Sequence, residues 1–290
     1  MPALNTYSAV SSLAQSIQDD AIFIVREMGM MSSFVTTFTD ASGLNPRKGY
    51  QYNSGTALTV GEADDLVSYA FTPSLDQTLT PAEIGLQFFV TDSRVESELP
   101  ESWASDASQE LGLAALDKLE TDLIGDIASL TGGTIGTAGS AITWGYVSAA
   151  IAQARNANKN AAKPLIAVIH GYQWAVLAKA ASVAGASVVN APQFQDQLTR
   201  TGGASAMVAT FMGVPIYQTF QAVDANSDFT GGVFPREAIA LDWRRPVRVR
   251  PERDESRRGT ELNMSAVYAH GVWRPTRGVK MIFDATAPTS

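Results

Sequence analysis

Two histidines, a glycine-rich connector, a triplet of carboxylates and one dense arginine run are the places in this 290-residue chain where chemistry could reside. His170 closes the apolar run that starts at Leu165, and His270 sits in a late alternating segment. Neither belongs to a His-Glu-x-x-His spacing, which would put two imidazoles on one helical face for zinc, and the linear order sets no acidic partner beside either. Both read as structural residues. The connector carries Gly132, Gly133, Gly136 and Gly139. A phosphate cradle must follow a strand, open a helix and, in its P-loop form, carry lysine before Ser or Thr; this connector follows a helix and has no lysine. No Gly-x-Ser-x-Gly elbow offers an acyl-transfer nucleophile. Cysteine is absent, which removes thiolate nucleophiles, thiolate metal sites and disulfides.

The acidic residues Glu62, Asp64 and Asp65 could collect a divalent cation, but an EF-hand needs a longer set of spaced oxygens ending in a distal Glu. They read as a solvated or partner-facing patch. Arg244, Arg245, Arg248, Arg250, Arg253, Arg257 and Arg258 make the densest charge, with Asp242, Glu252, Asp254 and Glu255 interleaved. Interleaving weakens the field that a phosphate backbone needs and supplies carboxylates for guanidinium forks. Ion pairing between copies of the chain therefore fits this run better than contact with DNA. Single exposed pairs are weak, so their use would lie in fixing register and partner. Nothing in this inventory calls for a catalytic group, a cofactor or a metal, and the expectation is a protein that is not an enzyme.

Composition points the same way. The chain is 45% apolar and only 17% charged, which leaves much uncharged surface to meet other protein. The net charge of −8 argues against a chain whose main task is to grip DNA, although a neutral or negative wall would let a packaged polyanion slide past. No apolar run reaches the eighteen or so residues that cross a bilayer, and the start lacks the basic and apolar regions of a secretory signal. Synthesis in the cytosol and no membrane partner are the expectations.

The elements that must position these residues are unusual in shape. Apolar residues between Ser8 and Met31 fall at helical spacing, and 34–39 alternates like a strand. Residues 40–61 are rich in Gly, Asn, Ser and Pro, and an extended run returns through Pro73 to Asp92, which together describe a long two-stranded flap. Such a ribbon is marginal alone and wants a partner surface. Trp103, Ala107, Leu111, Ala114, Leu119, Leu123, Ile127 and Leu130 then share one face of a helix about 40 Å long at roughly 1.5 Å per residue, longer than a compact domain needs. A helix over 144–155, a buried strand over 165–170, a helix from Gly171, a loop-like stretch 183–206 and strands over 207–219 and 232–243 make an α/β lobe. Three alternating runs, at 246–250, 263–273 and 279–283, close the chain.

The succession of the Gly61–Glu62 acidic flap, Leu79-Thr-Pro with Phe89-Val-Thr-Asp92, the long helix ending at 118–123, Ile169-His-Gly-Tyr-Gln-Trp174, the 231–243 stretch, Glu252-Arg-Asp254 and Trp273-Arg-Pro275 resembles the major capsid proteins of tailed bacteriophages. Each motif is soft; their order carries the likeness. The resemblance implies an α+β capsid fold, shared with encapsulins and the herpesvirus capsid floor. Its parts would be an N-terminal arm (1–34), an extended loop or E-loop with its return strand (35–92), a peripheral domain on a spine helix (93–143), an axial domain (144–240) and return strands of the peripheral domain (241–290). It implies copies joined as hexamers and pentamers in an icosahedral virion capsid, assembled in the host cytoplasm around double-stranded DNA held without sequence specificity. Portal, a separate scaffolding protein and a decoration or cement protein are the other implied partners. Candidate contacts between copies are Lys48, Glu62, Asp64, Asp65, Arg244, Arg245, Arg253, Asp254, Arg257 and Arg258. Some members of the family join a flap lysine to an asparagine with the help of a carboxylate; Lys48 and Asn263 occupy such places, but 263–273 contains no Glu or Asp, so an unlinked shell is expected. The alternatives are an encapsulin-type nanocompartment shell and a soluble α/β enzyme built on the lobe.

Overall fold

A computed structural model of the chain describes residues 16–24, 29–40, 43–52, 59–62, 65, 68, 70, 72–97, 100–158, 164–183, 207–221, 223–224 and 226–288. One helix organises it. This is α4 (Pro100–Gly125), 26 residues or about 39 Å long. Proline at its first position costs no hydrogen bond there. A 3-10 turn, Asp126–Ser129, continues it to Leu130. Leu111, Ala115, Leu119, Leu123, Ile127 and Leu130 are buried along one stripe at three-and-four spacing. The sequence places Ala114 on that stripe; it is exposed, and Ala115 takes the inward position.

Two sheets share the stripe. The first has the order β1-β10-β11-β4, from β1 (Thr36–Thr39), β4 (Ala82–Thr91), β10 (Ile239–Asp254) and β11 (Gly259–Val272). Its inward residues Val90, Val247, Val249, Leu262, Met264, Ala266 and Tyr268 form one core with α4. The second has the order β5-β12-β9-β6-β8-β7, from β5 (Thr134–Ile135), β6 (Leu165–His170), β7 (Met207–Phe211), β8 (Val214–Thr219), β9 (Asp228–Pro235) and β12 (Val279–Asp284). Helices α5 (Trp144–Ala157) and α6 (Gly171–Val183) contribute Val147, Ala150, Ile151, Ala154 and Leu177 to a core on one of its faces. Val168, Phe229 and Phe234 on the other face join the core of α4. The helices and the strands over 165–170 and 207–219 of the expected lobe lie where periodicity puts them, but the strand expected over 232–243 divides at Arg236–Ala238: its first part belongs to β9 and its second to β10, in the other sheet. The final fifty residues divide between the layers, because β12 pairs with β9 and β5 and does not run beside β10 and β11.

The flap is a separate two-stranded sheet of β2 (Arg47–Tyr52) and β3 (Pro73–Leu79). The extended run up to Asp92 does not continue as one strand. It breaks at Thr80 and Pro81, where proline has no N–H for a ladder, and restarts as β4 in another sheet. A six-residue helix, α3 (Asp92–Ser97), leads from β4 towards α4.

Of the expected amphipathic helix over 8–31, the described part is α1 (16–24), followed by the short α2 (Met31–Phe34); residues 1–15 and 25–28 lie outside the described residues. The loop-like stretch 184–206 and the side chain of Trp103 also lie outside. Ile17, Ala21 and Ile24 of α1 are buried on α4. The crossing is close because position 112 is glycine: a Cβ there would stand 2.9 Å from Ile24 Cδ1 and 3.2 Å from Ala21 Cα.

Since Leu123 is fully buried on the shared stripe, Leu123→Ala should destabilise the subunit by about 2–5 kcal/mol through lost transfer energy and the cavity left behind. Leu113→Ala, on the 42% exposed face of the same helix, should change it by less than about 0.5 kcal/mol. Urea unfolding of the soluble chain followed by tryptophan fluorescence compares the two; equal effects would refute the packing described.

Candidate functional site

At the flap base, one buried carboxylate holds two arginines. Asp242 on β10 is fully buried. Its Oδ2 accepts Arg47 Nε at 2.8 Å, Arg244 Nη2 at 2.8 Å and Arg244 Nε at 3.1 Å, and Oδ1 accepts Arg47 Nη2 at 3.3 Å. Asp40 lies 3.5 Å from both guanidinium groups, which brings the local charge close to balance. Arg244 also donates to the Gly43 carbonyl at 3.1 Å. The hydrogen bond to Asp242 holds the Arg47 guanidinium above its ordinary pKa. Charge buried without such partners would cost several kcal/mol, so the arginines here are fixed in place.

Apolar contacts complete the attachment. Arg47 lies 4.7 Å over the Phe38 ring, and Phe38 meets Trp273 edge-on at 5.3 Å. Trp273 packs against the flap where Gly49 has no side chain; a Cβ at that position would lie 2.9 Å from the indole. Leu79, 1% exposed, closes a small core with Ala240 and Ala269. Arg274 and Asp76 pair at 3.8 Å. The ribbon thus has little core of its own and is tied to the four-stranded sheet at its base. Lys48 stands exposed on β2 opposite Thr78. Glu62 and Asp65 are exposed, and Asp64 lies outside the described residues.

The arginine run folds as the long hairpin β10–β11, and most of its charges find partners within the chain. Arg253 makes a fork with Asp92 at 2.5 and 2.8 Å and also reaches Glu255 at 3.1 Å; these bonds, Asp92 first, raise its pKa further above an already basic value. Asp254 Oδ1 accepts the Ser256 hydroxyl at 2.7 Å and the N–H groups of Ser256 and Arg257 at 3.0 and 3.1 Å, which lowers its pKa, the hydroxyl contributing most. Arg257 sits 4.0 Å over the Phe89 ring and 3.3 Å from Glu261. Arg245 pairs with Glu83 and donates to Ser265 at 3.2 Å. Arg258 turns the hairpin with φ of 50° and presents an exposed side chain. Arg244, Arg245, Arg253 and Arg257 thus meet carboxylates inside one copy, whereas the sequence reading expects pairing between copies. Their use between copies is a matter of proposal.

Sequence order misjudged two neighbourhoods. His270, set beside no acid in the linear chain, bonds Asp126 at 3.0 Å through Nδ1 and lies 3.8 Å from Asp122, on the end of the long helix. The Asp126 bond raises the His270 pKa, and burial raises that of Asp126. The Asn263 amide has a carboxylate at 3.4 Å, Glu252 of the facing strand. The absence of an acid within 263–273 is thus no argument against a covalent link to Lys48. His170 is buried, accepts the Tyr172 N–H at 3.2 Å and has a pKa lowered by desolvation, in keeping with a structural role. Among the described residues no group of three or more acidic or histidine side chains is arranged to hold a metal ion.

No family model and no curated protein sequence matches this chain. Solved structures do. The capsid of Ralstonia phage GP4 matches with a TM-score of 0.65 at 9% identity over 89% of this chain and 88% of that one. The head structure of Helicobacter pylori bacteriophage KHP40 matches with 0.64 at 12% over 87% of each. The holo-SrpI encapsulin complex from Synechococcus elongatus PCC 7942 matches with 0.58 at 12% over 90% and 89%. The chain has the α+β fold of tailed-phage capsid proteins, a fold also found in the encapsulin.

If Asp242 holds the flap base, Asp242→Asn should leave the Arg47 and Arg244 guanidinium groups with Asp40 alone, 3.5 Å away, as counter-charge and cost about 3 kcal/mol. Hydrogen exchange should then quicken at the backbone amides of 47–52 and 73–79 while 144–157 stays protected. Unchanged exchange in the flap strands would contradict the tether.

Proposed function

We propose that this chain is the major capsid protein of a tailed bacteriophage, the repeated subunit of an icosahedral shell of hexamers and pentamers around double-stranded DNA. The observation that carries the reading is the capsid fold over about nine-tenths of the chain and of its structural neighbours. The flap supports it physically, because a two-stranded ribbon tied at its base to the four-stranded sheet leaves ladder edges and side chains for another copy to cover. In this reading 144–240 is the axial domain that gathers around the symmetry axes, α4 with β10 and β11 is the peripheral domain, and arm and flap lie over neighbours. Lys48, Glu62, Asp65 and the arginine hairpin are the contacts offered to those neighbours, with Asp64 between them in sequence. Many small repeated contacts, each weak, sum to a shell that can still correct errors as it closes. Portal, scaffolding and cement proteins are its proposed partners, the virion its location and the host cytoplasm its place of assembly. The net charge of −8 fits a wall that holds DNA without binding its sequence.

The test is direct. The chain expressed alone and with its neighbouring structural genes is passed over a sizing column and imaged by electron microscopy. Closed shells of uniform diameter, assembled at least in the presence of those genes, are expected, and their contents separate the two shell readings: DNA for a virus, a packaged protein for a nanocompartment. A compact monomer or small discrete oligomer under every condition would overturn both.

A further inference from the structure

Glu120 is, among the described acidic side chains of α4, the one that is buried, at 7% exposure, and it turns inward to meet residues 29–35. Both of its oxygens accept the Met31 N–H, at 2.9 and 3.1 Å, and the backbone amides of Met30 and Ser32 add to the site. The segment so held inserts Met31, Phe34 and Val35 into the core beside α4, at 0%, 9% and 0% exposure. The carboxylate is therefore a clasp on the backbone of this segment, with apolar pegs on either side of it.

Its charged neighbours are engaged elsewhere. Lys118 pairs with Asp122 at 2.5 Å, Asp122 accepts the Tyr268 hydroxyl at 2.7 Å, Asp126 bonds His270, and Asp117 accepts from Gln221 at 3.0 Å. Residues 29–35 contain no titratable side chain. Arg26 and Glu27 precede them in sequence and lie outside the described residues. Backbone N–H groups favour the ionised carboxylate, while its removal from water disfavours it, and with no described counter-cation the second effect is the larger.

We propose that Glu120 is a proton-operated latch that fastens residues 29–35 to the long helix more firmly in mild acid than above neutral pH. The sign follows from where the proton sits. Burial lifts the docked carboxyl from 4.5 to about 7, so between these values the docked state keeps a proton that a released, solvated Glu120 has given up. Docking is strongest below the lower value, weakens as pH rises through the interval and is weakest above the upper one. The latch is contained in a single copy and does not depend on the shell reading.

Hydrogen exchange of the full-length chain at pH 6 and pH 8, corrected for the intrinsic pH dependence of exchange, tests it on a peptide covering 29–35. Protection in the wild type should be about tenfold greater at pH 6, as the two values predict, with 144–157 unchanged. Glu120→Gln keeps a hydrogen-bonding side chain and should remove the pH difference, and Arg26→Gln should leave it intact. Equal wild-type protection at both pH values would overturn the proposal. So would a profile that survives Glu120→Gln, or one abolished by Arg26→Gln, which would make the clasp an ion pair. Should Glu120→Gln fail to fold, a carboxyl-carbon NMR titration of the wild type decides: a midpoint near 7 supports the latch and one near 4.5 refutes it.

Discussion

The structure depends on one apolar stripe serving two sheets. Along α4 the residues from Leu111 to Leu123 meet the inward faces of β10, β11 and β4, and Ile127 and Leu130, on the 3-10 turn that continues it, meet the far face of the six-stranded sheet. Gly232 and Gly278 mark how close that second contact is, since a Cβ at either would come within 2.7 Å of Ile127 or Leu130. A helix of this length would be marginal in water without packing, and here both ends of its stripe are consumed by different layers. The layers are held to one another through a common partner, and through β9 and β10, which follow each other across the short turn at Arg236–Ala238.

Polar chemistry in this molecule is used for attachment. Asp242, Glu120 and Asp92 each join parts that are distant in sequence: flap to sheet, residues 29–35 to helix, hairpin to α3. The apolar pieces they fasten are small, as with the three-residue core around Leu79. A buried carboxylate is a costly way to gain stability but a selective one, because only a particular donor geometry satisfies it.

The sequence discloses the layers better than the joints. Period-two and period-3.6 patterns recover α4, α5, β6, α6 and the last three strands, because their burial is repeated over many residues. Joints escape because each rests on one or two residues far apart in the chain. Asp242 is visible as an acid among arginines, yet nothing local says that its partner is Arg47, 195 positions away. Trp273 reads as the end of a strand, and only the fold shows that it fills the space left by Gly49. His270 and Asn263 illustrate the same limit: each gains an acid from another element. The division of the extended run at Pro81 was legible in principle, since a residue without N–H cannot sit inside a continuous ladder.

The way the ribbon is anchored has a mechanical corollary. Asp242 and Trp273 belong to, or directly follow, the two longest strands of the molecule, and those strands end at the other extreme in the turn that carries Arg257 and Arg258. A pull on the ribbon enters a ladder of sixteen- and fourteen-residue strands whose register shifts between Trp243 and Arg248, directly beside the anchor. Strain applied at the ribbon would thus be felt first in that shifted stretch, and only through it in the arginine turn at the far end of the hairpin.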